Sequence, residues 1–271
     1  MSDTPVEPRD AATVLLIQDR PTGLEVFMVV RHPKIEFAAG ALVFPGGSVD
    51  QSDREASAGA VVPKDALELP PRELAWRIAA VREVYEECGV LLARERGSDE
   101  LISAERLRDI DRLYCEALRL HSLNIVSLAV EENLELACDV LLPFAHWVTP
   151  ESRPKRFDTR FYMASAPLDQ VARHDGFESV HSLWGNPDVI CSEADQGKWH
   201  LRFPTRMCLE KLAMSNTCEG ALQAAGNAPV VRILSKAQPV PQGNRIRIPA
   251  EAGYGLTEAI VDDNGKVVWR R

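Results

Sequence analysis

The sequence predicts a mixed α/β (α+β) fold, and three observations carry that reading. Apolar, β-branched runs occupy residues 12–18 and 24–30. A helical apolar period runs from 72 to 88. Strand-like runs then resume after residue 140 and alternate with helical patterns. A chain of 271 residues that is 45% hydrophobic can bury a sizeable core, and no apolar run is long enough to cross a membrane as a helix.

Taken in order, Ala12 to Gln18 and Leu24 to Val30 read as paired strands joined through Asp19, Pro21 and Gly23. Ala41 to Phe44 is a third short run, cut off by Pro45-Gly46-Gly47. Those glycines let backbone approach a ligand, although a plain turn uses the same residues. Residues 48–71 are polar and aperiodic, with Pro63, Pro70 and Pro71 as breakers: an inserted loop with a short helix near Asp65 to Leu69. In the helix that follows, Trp76, Ala80, Val84 and Cys88 share a face. Pro71 prepares its first turn, and Gly89 ends it in the left-handed conformation that carries no Cβ penalty.

A strand at Val90 to Ala93 leads into a helical insertion at about 96–136, with one helix over Ser103 to Leu120 and a second over Leu123 to Leu136. Leu141 to Val148, Arg156 to Ala164 and Glu178 to Trp184 read as strands, and Pro187 to Cys191 and Phe203 to Leu222 as helices. Val230 to Leu234 and Arg245 to Ile248 are strands of a C-terminal extension, 203–271. Residues 1–271 thus read as one domain with two insertions.

The net charge of -9 opposes non-specific binding to a nucleic-acid backbone, so no nucleic-acid partner is expected. An acidic protein still takes a phosphorylated small molecule where metal ions and a few local Arg or Lys residues make the contact. The cysteines at 88, 115, 138, 191, 208 and 218 form no C-x-x-C pair and read as reduced thiols. His146, His174, His181 and His200 show no metal-ligand spacing. The polar, proline-bearing start from Met1 to Asp10 does not read as a secretory signal, and Trp269-Arg270-Arg271 is no peroxisomal address. The expected setting is cytoplasmic, without a membrane partner.

The chemistry concentrates in Arg82-Glu83-Val84-Tyr85-Glu86-Glu87-Cys88-Gly89-Val90. On a helix Glu83, Glu86 and Glu87 fall at i, i+3 and i+4 and share a face, where like charges repel by roughly 0.2 to 0.5 kcal/mol per pair in water. A divalent cation reverses that sign, and oxygen-only ligands favour Mg²⁺ or Mn²⁺ over Zn²⁺. A solvated acidic face is the alternative reading.

The string satisfies the second half of the Nudix box, Arg-Glu-apolar-x-Glu-Glu-x-Gly-apolar, at every specified position, and Gly47 stands where that box begins. The chain therefore resembles a Nudix hydrolase over most of residues 10 to 200. The resemblance implies an α/β/α sandwich around a mixed sheet and metal-dependent hydrolysis of a diphosphate linked to another moiety. It implies Glu83, Glu86 and Glu87 as Mg²⁺ or Mn²⁺ ligands, with the Gly47 carbonyl as a further one. Arg82, placed on a different helix face, is expected to orient carboxylates. The general base is a box glutamate or an acidic residue on a later loop, for which Glu178 holds the comparable place. Two departures stand out: the insertion 48–71 separates glycine from arginine, and Leu74 replaces the usual first-half glutamate, with Glu73 about 100° away on the helix.

Phe44-Pro45-Gly46-Gly47 followed by Asp50 and Asp53, then Arg77 to Glu83, Trp147 to Pro150 and Arg156 to Phe161 resemble the branch that contains the mammalian peroxisomal coenzyme A diphosphatase. Gly40 fits the end of a pattern associated with coenzyme A, while Arg31 lies too far upstream to complete it. Arg156 and Arg160 share a strand face and are candidates for an extra substrate phosphate; solvated charges are the alternative. The expected partner is a small-molecule diphosphate, and the oligomeric state stays open, a homodimer included. A second reading is a Nudix-fold nucleotide-binding or regulatory module without turnover. An RNA-decapping role lacks the basic, aromatic-interleaved surface it needs.

Overall fold

A computed structural model describes residues 6–34, 38–120, 122–234, 237–262 and 267–270. The readings made for Met1 to Pro5 and for Arg271 lie outside them. Alternation along the first two strands decides the layering. In β1 (Arg9–Arg20) Ala12, Val14 and Leu16 face one side and Leu15 and Ile17 the other, all fully buried. In β2 (Gly23–Arg31) Phe27 and Val29 oppose Val26 and Met28 in the same way. A sheet apolar on both faces needs a layer on each.

The chain supplies them in sequence order. The short strands β3 (Leu42–Val43) and β4 (Gly46–Ser48) precede three 3₁₀ turns at Ser52–Arg54, Ala56–Val61 and Lys64–Glu68. The long helix α1 (Pro71–Cys88) follows and stops at Gly89, whose φ is 65°. Next come β5 (Ala93–Glu95), α2 (Ala104–Arg119), α3 (Ile125–Glu131) and β6 (Leu134–Leu136), with β6 returning to pair with β5 and closing the helical insertion at its base. The strands β7 (Leu142–Val148), β8 (Phe157–Ser165) and β9 (Ser179–Gly185) complete most of the main sheet. Helices α4 (Pro187–Asp195), α5 (Phe203–Leu212) and α6 (Cys218–Asn227) follow. After them come β10 (Arg232–Leu234), β11 (Gln238–Val240), β12 (Gly243–Arg247), β13 (Glu258–Val261) and β14 (Val267–Arg270).

The main sheet runs β10-β7-β8-β1-β2-β3, with β4 also on β1 and β9 also on β2. It is mixed: β1–β8 and β10–β7 are parallel, and the other pairs are antiparallel. Helix α1 and the insertion cover one face. Helices α5 and α6 and a small sheet, β11 to β14, cover the other. This is the α/β/α sandwich expected from the sequence.

β1 pairs with β2 only from Ile17 to Arg20 and with β4 from Ala11 to Thr13. The far half of β2 pairs instead with β3 and β9. The two strands therefore part, and the Phe44 to Ser48 segment crosses from one to the other, which sets the Gly-Gly turn beside the C-terminal half of α1.

Three local expectations are corrected. Val90 to Leu92 is not strand. Leu91 donates its N–H to Gln170 Oε1 at 2.9 Å and accepts from Gln170 Nε2 at 3.3 Å, so a buried side-chain amide takes the place of a ladder. The helix read through Leu136 ends near Glu132, because Asn133 turns left-handed at φ 54° and starts β6. The helix read over Phe203 to Leu222 is broken: Thr217 caps a new one by accepting from the Gly220 N–H, and a favourable N-cap outweighs continuation.

Candidate active site

The glutamate helix buries Glu83 and Glu87 and leaves Glu86 half-buried. What makes this tolerable is Arg82, itself 5% exposed. Its Nη1 donates to Glu83 Oε1 at 2.8 Å and to Glu86 Oε2 at 2.9 Å, and its Nη2 to the Ser48 carbonyl at 2.8 Å. Its Nε and Nη2 both reach Asp53, at 3.1 to 3.3 Å. Asp53, fully enclosed, also accepts from the Asp50 N–H at 2.8 Å. Arg82 thus does not stand on a separate face: residues four apart share a face, and its side chain bridges Glu86 and the 48–54 segment. Its planar fork suits several carboxylate and carbonyl oxygens at once, which a lysine cannot match.

Glu87 turns to the glycine segment, accepting from the Gly46 N–H at 2.9 Å. Gly47 lies so close to Glu83 that a Cβ there would stand 2.5 Å from Glu83 Oε1 and 2.7 Å from its carboxyl carbon. Of the two glycines, Gly46 is the one whose backbone, at φ 154° and tight against Ala12 and Thr13, itself demands the residue. Gly47 is demanded by the carboxylate.

Arg31 closes the other side. It ends β2 with its guanidinium 3.7 Å from Glu87 Oε1 and 3.8 Å from Glu178 Oε2. Glu178 is exposed at the start of β9 and joined to β2 by the His32 N–H on its carbonyl. The structure therefore brings Arg82, Glu83, Glu86, Glu87, Gly47 and Glu178 to one place and adds Arg31, Asp50 and Asp53.

Sequence reasoning passed over Arg31 because nine positions separate it from Gly40. In the fold the Gly40 N–H bonds the Arg31 carbonyl and the Arg31 N–H the Ala41 carbonyl, both at 3.1 Å, so the loop returns and the spacing is cancelled. The usable signal was an arginine ending an otherwise apolar strand. Asp53 could have been sought as the partner that a buried box arginine requires.

Arg156 and Arg160 are not brought there. Arg156 is buried and donates to the Thr149 and Val6 carbonyls, tying the chain start to the β7–β8 turn. Arg160 lies over Trp76, 4.9 Å from the ring centre, and 3.7 Å from Glu73. Glu73 precedes the box glutamates by ten or more residues, about 15 Å of helix. Glu73, the neighbour of the missing glutamate position, accepts from the Tyr162 hydroxyl at 2.9 Å and pairs with Arg77 at 3.3 Å.

The electrostatics follow from crowding. Burial pushes the Glu83 carboxyl up to about 7, with Glu86 and Glu178 adding to the push against Arg82. Burial and Glu83 push Glu87 up to about 8, against the Gly46 N–H and Arg31. Burial also raises Glu86 and Asp53, in each case outweighing Arg82. Six carboxylates here share two guanidinium groups. That imbalance, in an all-oxygen setting, fits a hard divalent cation. Among the described residues no three acidic, His or Cys side chains converge on one point as they stand. Glu83 and Glu86 are turned to Arg82, and holding a cation requires them to exchange part of that contact.

A mixed sheet between helical layers, with a glutamate-bearing helix ending against a Gly-Gly segment, defines a Nudix domain. The model described as NUDT19 Nudix domain matches residues 57–209, more than half of the chain, and the chain belongs to that family. Acyl-coenzyme A diphosphatase NUDT19 of Gallus gallus is 28% identical, over 66% of this chain and 61% of that protein. Putative nudix hydrolase 7 of Caenorhabditis elegans is 26% identical, over 76% of this chain and 60% of its own length. The chain thus spans about 60% of the length of these relatives. Among solved structures, a NUDIX hydrolase from Alicyclobacillus acidocaldarius is similar over 83% of this chain and 99% of that one, with 26% identity and a TM-score of 0.66.

Proposed function

We propose that this chain hydrolyses the diphosphate linkage of coenzyme A or an acyl-coenzyme A, using Mg²⁺ or Mn²⁺ held by Glu83, Glu86, Glu87 and the Gly47 carbonyl. The observation that carries the proposal is the Arg82-centred cluster: carboxylates forced together on α1, two of them buried, against a backbone turn that only glycine fits. The names borne by the NUDT19 relatives support the substrate class. The cation, when bound, supplies charge neutralisation at the diphosphate and holds it in line.

The chain's own groups do the rest. Arg82 keeps Glu83 and Glu86 oriented through a fork that is itself braced by Asp53 and the Ser48 carbonyl. The Gly46 N–H fixes Glu87. Glu178, on the open side beyond Arg31, accepts the proton of the attacking water as its oxygen bonds to phosphorus. The bridging P–O bond breaks, and its electron pair leaves with the second phosphate. A serviceable test is a panel of coenzyme A, acyl-coenzyme A, NADH, ADP-ribose and nucleotide sugars with each metal, products identified by mass. Cleavage of the coenzyme A diphosphate that is lost in Glu87→Gln supports the proposal. Binding of these compounds without any phosphate-bearing product over long incubation overturns it in favour of a binding module.

A further inference from the structure

On the face of the main sheet away from α1 the packing is incomplete. A cavity of about 280 Å³ lies between β7, the end of α5, helix α6 and a 3₁₀ turn at Ala250–Ala252. Phe144, Leu212, Ala221, Ala225 and Ala252 among its walls belong to the apolar cluster of that face, whereas the box glutamates stand on α1, across the sheet. The cause is local. Helix α6 lines the space with Ala221, Ala225 and its C-cap Ala228, and their methyl groups leave unfilled what larger side chains take up in a close-packed interior. Met214 and Glu251, both exposed, mark where the cavity opens to solvent.

One charge enters this apolar space. Lys211, half-buried in the last turn of α5, donates to the Phe144 carbonyl at 3.3 Å and to the Ala252 carbonyl at 3.2 Å. Its ammonium lies 5.0 Å from the centre of the Phe144 ring and 5.3 Å from that of Tyr254, whose hydroxyl accepts from the Trp147 indole N–H at 3.0 Å. Carbonyls and ring faces steady the cation without neutralising it, and among the described residues no carboxylate pairs with it. Glu251 also lines the cavity, but it is exposed and makes no ion pair with Lys211. Burial accordingly lowers the Lys211 amine below its ordinary value, against the Cys208 thiol. An ammonium has three donors, and with two given to carbonyls the third is open to a ligand.

The space equals that of about nine waters at about 30 Å³ each, enough for a ligand of about eight to ten heavy atoms. Water itself suits it poorly, because the side chains of Phe144, Leu212, Ala221 and Ala225 offer no hydrogen-bond partner. A phosphate dianion asks for several donors, which these walls do not supply. A monoanion with an aliphatic tail matches both the single ammonium and the apolar lining. We propose that this cavity binds a short-chain aliphatic monocarboxylate of about six to eight carbons, its carboxylate on the Lys211 ammonium and its chain against Phe144, Leu212 and the α6 alanines. The site is separate from the diphosphate chemistry and does not rest on that reading.

The test is a ligand-detected NMR titration of hexanoate and of its uncharged isostere hexanamide on the unmodified protein, on Lys211→Met and on Ala225→Leu. Unmodified protein is expected to bind hexanoate with a Kd below about 1 mM and to prefer it over hexanamide by about tenfold, the worth of one charge-assisted bond. In Lys211→Met, which keeps a long side chain without the charge, the preference falls toward one. Ala225→Leu fills part of the cavity, leaves the lysine in place and weakens both ligands. Equal affinities in the unmodified protein, no saturable binding up to about 10 mM, or a preference that survives Lys211→Met overturns the proposal. Lys211 also ties α5 to β7 and to the 250–252 turn, and loss of that tie alone lowers the melting midpoint without bringing the two ligands together. Should Lys211→Met fail to fold, Ala225→Leu decides, and an unchanged hexanoate affinity in it overturns the proposal.

Discussion

With no cation bound, this protein should become less stable as pH rises toward neutrality, opposite to the usual carboxylate behaviour. Glu83 and Glu87 lie at about 7 and about 8 in the fold, against an ordinary value of 4.5. Between pH 4.5 and these values the folded chain holds protons that the unfolded chain has released, so the stability of the metal-free fold declines across that window and levels off above about pH 8. Each extra proton costs about 1.4 kcal/mol per pH unit. Two such groups give a ceiling of about 5 kcal/mol between pH 5 and 7; relaxation and water entry around a crowded site bring the expected loss to about 2 to 4 kcal/mol. For a chain of this size that is a fall of roughly 5 to 10 °C in the thermal midpoint. A cation binds the ionised carboxylates, so its stabilisation grows over the same pH range. The assay is thermal unfolding from pH 5 to 8.5 in EDTA and in Mg²⁺, on the unmodified chain and on Glu83→Gln/Glu87→Gln. The EDTA curve should slope down, Mg²⁺ should flatten it, and the double variant should slope much less, the remainder coming from Glu86 and Asp53. An EDTA midpoint that is constant or rises from pH 5 to 7, or a double variant that keeps the slope, refutes the reasoning.

Three further outcomes are expected. Gly47→Ala places a methyl 2.5 Å from Glu83 Oε1 and displaces that carboxylate, so steady-state kinetics should show a fall in kcat of about ten- to a hundredfold, with a stability cost near 1 kcal/mol in urea titration. Arg82→Lys keeps the charge but loses the fork that joins Asp53, Glu83, Glu86 and the Ser48 carbonyl; denaturant unfolding should register a loss of about 2 to 4 kcal/mol, and an unchanged midpoint would contradict the bracing role. Glu178→Gln, at an exposed position, should leave the melting midpoint within about 1 °C while lowering kcat by about a hundredfold or more, and a variant with full turnover would return the proton to a box glutamate.

Local chemistry made much of this protein legible in its sequence. The period of α1, its proline start and its stop at Gly89 are short-range effects, as is the i, i+3, i+4 grouping of Glu83, Glu86 and Glu87, and all appear where the residues put them. The α/β/α layering that the resemblance to the Nudix fold implied is there too, with an apolar layer on each face of the sheet. Misreadings arose where a single side chain competes with the backbone pattern: Gln170 replacing a ladder at Leu91, Asn133 turning the chain, Thr217 capping a new helix.

The site's completion was decided by tertiary structure alone. Periodicity can place three glutamates on one face, but it cannot report that Asp53, 29 positions before Arg82, supplies the counter-charge to a buried guanidinium. Nor can it show that the loop after β2 folds back to put Arg31 between Glu87 and Glu178, or that Arg156 is consumed by carbonyls. Helix and turn signals act over a few residues. Burial and counter-charge depend on segments distant in sequence that meet only when β1 and β2 part and the Gly-Gly turn crosses between them.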